Sequence, residues 1–108
     1  MGMDDAYLPQ VYQQFLGRFP EVAEAQGALA QVVRERSPFD PRTDRLLRLA
    51  MAIGAQAEGA VRSNVRKALE HGATLDEVRA VALGAITTCG FPTAIAAMGW
   101  IEEVAEAQ

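Results

Sequence analysis

The chain has a single cysteine, Cys89, among 108 residues. An intrachain disulfide is therefore excluded, and Cys89 has no partner thiol for redox work. A lone thiol fits a reducing compartment, so a cytoplasmic location is expected. Aromatic residues are scarce at 6%, although half of the chain is hydrophobic. The apolar set is thus mainly Ala, Leu and Val, which favours helices that approach one another closely. Positive charge is also in deficit: 10 Lys and Arg stand against 14 Asp and Glu, for a net charge of −4. A phosphate-backbone partner normally meets a basic face, so no nucleic acid is expected. Uninterrupted apolar runs are too short to cross a bilayer, and no membrane partner is expected. The N-terminal MGMDDAYLPQ lacks the basic segment and apolar run of a signal peptide. There is no Gly-rich phosphate loop, no Ser-His-Asp spacing and no His/Cys/Asp/Glu spacing suited to a metal. Neither a cofactor nor a metal is expected.

What the chain does have is helical periodicity, and nothing alternates with the period of a strand. The length predicts one domain. A first helix is expected over Asp4–Gly17, with Leu8, Val11 and Phe15 on its apolar stripe, joined by Tyr7 or Tyr12. Pro20 suits the first turn of a second helix running to about Glu35, with Val22, Ala25, Leu29, Val32 and Val33 on one face. Ser37-Pro38-Phe39-Asp40-Pro41 reads as a loop in which Asp40 caps a third helix, about Pro41–Ala55. Leu46–Ala55 is apolar on nearly every side apart from Arg48, which predicts burial all round. Gly54 or Gly59 is expected to break that helix. A fourth helix, about Glu58–His71, has Val61, Val65, Ala68 and Leu69 on one face and Arg62, Arg66, Lys67 and Glu70 on the other. Gly72 is expected just past its end, where a positive φ is needed. Thr74 and Glu77 have the spacing of a capping box and open a fifth helix to about Cys89. Gly90-Phe91-Pro92 predicts a break, followed by a sixth helix over about Thr93–Ala107.

The expected fold is all-α with about six helices. Two helices apolar on all sides are many for so small a chain, whose surface must stay largely exposed. A homo-oligomer burying parts of the third, fifth or sixth helices is therefore predicted.

The order of signals from Arg45 to Ala97 resembles the carboxymuconolactone decarboxylase family, which includes the AhpD-like alkylhydroperoxidases. The resemblance rests on LEHGAT followed by LDEV, then on AITTCGFPTAIAA. It implies an all-helical fold that assembles into trimers or hexamers. The peroxidase branch carries a Cys-x-x-Cys at the start of the fourth helix, a His four residues on, and a Glu one helix earlier. Those positions fall here on Ala57, Ala60, Asn64 and Arg45. Alanine cannot attack a peroxide and asparagine does not titrate near neutral pH, so the thiol mechanism is not expected. The decarboxylase branch, which needs no cofactor, also lacks the cysteine pair and tends to carry Arg at the position of Arg45. It keeps the His, so Asn64 departs from it.

The resemblance makes Arg45, Glu58 and Asn64 the candidate catalytic residues, with Ala57, Ala60 and Ser63 lining the pocket. Arg45 would clamp a carboxylate through its planar fork of donors. Asn64 would hydrogen-bond a carbonyl or enolate oxygen, and Glu58 would exchange a proton. Each also has an ordinary role. Arg45 could be a surface ion-pair partner, Glu58 a helix-dipole carboxylate, and Ser63 and Asn64 structural hydrogen-bonders. His71 reads as a helix C-terminal cation and Cys89 as a small buried hydrophobe. Three functions remain open: a lyase or binder for a small carboxylated or lactone compound, an antioxidant protein of the alkylhydroperoxidase kind, and a non-catalytic oligomeric scaffold.

Overall fold

A computed structural model describes the backbone of residues 3–108 and side chains from Gln10 onward. Six helices follow in order: α1 (Met3–Arg18), α2 (Pro20–Arg36), α3 (Pro41–Gly54), α4 (Glu58–Glu70), α5 (Leu75–Thr88) and α6 (Phe91–Ala107). The described residues contain no strand, so the fold is all-α. None of the described helices is long and apolar enough to cross a membrane. The chain divides into two compact units, with the boundary between Pro38 and Phe39.

The first unit holds α1 and α2. A single residue, Phe19, separates them, and its ring lies 6.0 Å from that of Phe15 at 43°. Pro20 opens α2, where a missing N–H costs no helical bond. No residue of α2 is buried, and its stripe residues Val22, Leu29, Val32 and Val33 are exposed. Of the stripe expected on α1, Phe15 is half-buried and Val11 and Tyr12 are exposed, while Tyr7 and Leu8 lie outside the described side chains.

The second unit holds the core. Helix α3 packs against α4 and α5, and both of those pack against α6. Leu49 and Ile53 of α3, Val61 and Val65 of α4, Val78 of α5 and Ile101 of α6 are the largest fully buried side chains. Each contributes roughly 1.5–3 kcal/mol through removal from water. Ala52, Ala68, Ala82, Ala85, Ala94 and Ala97 fill the spaces between them, and their small size allows close helix approach.

Local signals set the helix ends. Asp40 caps α3 by accepting from the Thr43 N–H at 2.7 Å, and Pro41 occupies the first turn. Thr74 and Glu77 form both bonds of the capping box, at 3.1 and 2.9 Å. Gly72 takes φ +95° just past α4, and the Ala73 N–H reaches back to the Ala68 carbonyl at 2.9 Å.

Two expectations are corrected, and one is met. Within one chain, helix α3 is not buried all round: Leu47 is exposed, and Met51 is 70% exposed. Its core face spans only Leu49, Ala52 and Ile53, because the unit packs α3 from two sides and leaves the rest open. As expected, α3 ends at Gly54; the positive φ of the turn that follows falls on Gln56, at +55°, and Gly59 lies inside α4. The sixth helix starts at Phe91, not Thr93, because Pro92 is tolerated within a first turn and Gly90 serves as N-cap at φ +103°.

Candidate functional site

The turn from α3 into α4 leads into the segment that holds most of the residues expected from the resemblance. The Gln56 N–H bonds to the Ile53 carbonyl and the Ala57 N–H to the Ala52 carbonyl, both at 3.0 Å. This pair of bonds closes the end of α3 and requires the positive φ at Gln56. So short a connection makes α3 and α4 neighbours. Ala57 is the N-cap of α4 and has no side chain able to bond the free N–H groups there.

Arg45 lies one turn before fully buried Leu49 and two turns before Ala52, so it starts from the core-facing side of α3. It is half-buried, and its guanidinium forms no ion pair or hydrogen bond among the described residues. The other arginines of this unit are engaged. Arg42 binds Glu77, and Arg48 binds Asp44 at 2.7 Å. Arg79 grips Glu102 through two bonds of 2.7 and 2.8 Å, and Arg66 also has a partner.

Glu58 stands in the first turn of α4 with its carboxylate bound to Arg62. Arg62 also reaches Glu103 of α6 at 2.6 Å, and only 12% of its side chain is exposed. Glu58 thus belongs to an ion-pair chain linking α4 to α6. Asn64 is half-buried on the flank of the Val61–Val65 face, and its Nδ2 donates to the Ala60 carbonyl at 2.9 Å. That leaves one amide hydrogen and the amide oxygen for other partners. Ser63 and Ala57 are half-buried, and Ala60 is exposed. Arg45, Glu58 and Asn64 thus sit on adjoining helices, but no hydrogen bond among the described residues joins them to one another. His71 follows the last turn of α4 as its C-cap and is exposed.

One groove lies away from these residues. It has a volume of about 390 Å³ and runs between α3 and α5, lined mostly by apolar side chains such as Leu46, Ala50 and Val81. None of the six residues expected from the sequence lines it. The two helices run parallel there. Arg42 at the head of α3 meets Glu77 at the head of α5, and at the far end a Cβ on Gly54 would lie 3.7 Å from the Cys89 sulfur. Cys89 is exposed at that end, which corrects its reading as a small buried hydrophobe. Its position just past α5 takes it beyond the last core residue of that helix, Ala85. The Thr88 hydroxyl, 3.5 Å from the sulfur, donates to the Gly84 carbonyl at 2.9 Å. The signal for this groove was present as small residues at helical spacing, Ala80, Gly84 and Thr88, facing Leu46 and Ala50. Such spacing alone does not distinguish a tight helix contact from an open one.

Three carboxyl groups titrate below their ordinary range. The Thr74 N–H, followed by the Arg42 guanidinium, lowers Glu77. The Thr43 N–H lowers Asp40 at the head of α3. Arg79 lowers Glu102 on α6. All three hold helix ends or helix pairs together. No group of three or more His, Cys, Asp or Glu side chains suited to a metal occurs among the described residues.

No curated protein matches the chain. The family model described as "Carboxymuconolactone decarboxylase family" matches residues 20–103, most of the length. With six helices in the expected order and this match, the chain belongs to the carboxymuconolactone decarboxylase family.

Proposed function

We propose that this chain is a non-thiol member of its family that binds a small carboxylated or lactone compound beside the α3–α4 pair. One observation carries the reading. Arg45 is half-buried and has no counter-charge among the described residues, whereas the other arginines of its unit are engaged. A guanidinium partly withdrawn from water gains from an anion that replaces its lost hydration, and a carboxylate fits its fork bidentately. The remaining amide hydrogen and oxygen of Asn64 suit a carbonyl or enol oxygen of the same ligand. Ala57 and Ala60 offer no nucleophile, which weighs against thiol peroxidation.

Binding has more support than turnover. A lyase step would need Glu58 to exchange a proton, and its carboxylate is engaged by Arg62. We place this activity in a cytoplasmic homo-oligomer, a trimer or hexamer, with residues 1–108 acting as one functional domain. Leu47, Met51, Leu83, Phe91 and Ile95 support self-association, since all are large apolar side chains left in contact with water on α3, α5 and α6.

Titration with small dicarboxylates and a carboxylated lactone, followed by thermal unfolding, tests the reading. The melting temperature of the wild-type chain is expected to rise with ligand concentration. Arg45→Met should weaken binding about tenfold or more, the scale of a lost charge-assisted hydrogen bond of roughly 1.5–3 kcal/mol. A wild-type chain indifferent to every carboxylate, or an Arg45→Met chain that binds equally well, overturns it.

A further inference from the structure

We draw no further inference here: the strongest candidate, the apolar groove between α3 and α5 with the exposed Cys89 thiol at one end, joins an unpartnered apolar face to a lone cysteine, and nothing in the structure shows what covers it.

Discussion

Helices α4 and α5 both flank α3, yet they begin in opposite ways. Thr74 opens α5 with a complete capping box, and Glu77 extends that cap to α3 through Arg42. Ala57 opens α4 with no side-chain bond at all. The first arrangement satisfies N–H groups that a helix start leaves free; the second leaves them to solvent or to a ligand. The uncapped start coincides with the positions that the resemblance matches to the cysteines of the family's peroxidase branch. The α5 start is thus organised for stability. The α4 start offers free backbone N–H groups and no nucleophile, and under the proposed function the unpartnered Arg45 on the adjoining helix is the group that would bind the ligand.

The contrast is open to test at four strengths. The largest effect is expected at Leu49, a fully buried residue of α3, the helix that packs against both α4 and α5. Leu49→Ala should cost about 2–5 kcal/mol in urea unfolding, the range for a leucine truncated in a packed core. A loss below about 1 kcal/mol would mean that the core is not shared by the two sides. Thr74→Ala should cost about 1 kcal/mol and speed amide exchange in the first turn of α5, with the first turn of α4 unaffected. Equal changes in both turns would erase the distinction between them. Ala57→Ser should act in the opposite direction, stabilising the chain by about 0.5 kcal/mol, the low end of capping effects, because the backbone at φ −93° and ψ 89° is not the extended form seen at Thr74. A destabilised variant would show that the alanine is required for packing.

The smallest effect concerns acid. Glu77 and Asp40 titrate below their unfolded values, so the stability they contribute is present above those values. It is lost as pH falls through the lowered folded values, below about 4.5 for Glu77 and 3.8 for Asp40. Urea midpoints should therefore decline as pH falls through that window, and less steeply in Glu77→Gln. An unchanged slope in that variant would remove Glu77 from the acid response.

Much of the fold was legible in the residues. Pro20, Asp40-Pro41, Gly72 and Thr74–Glu77 are local signals, and each acts where it stands in the sequence. The positive φ after α3 was not legible, because Gln56 is an unusual residue there and two nearby glycines offered more ordinary choices. Arg62 illustrates a different limit. Its spacing places it with Arg66 and Lys67 on a polar face, yet α6 brings Glu103 to it and most of its side chain is buried. Of the candidate site, the replacements at Ala57, Ala60 and Asn64 were visible from the resemblance, whereas the engagement of Glu58 by Arg62 was not.

The sequence by itself determined the helical class, most of the helix ends and the absence of a cysteine pair. Those depend on periodicity, on capping within a few residues, and on composition. Only the tertiary structure decided which apolar residues reach the core, which arginines find carboxylates, and that Cys89 is exposed. Burial and ion pairing are properties of helices meeting from distant parts of the chain, and a one-dimensional pattern specifies the face of each helix without specifying what will lie against it.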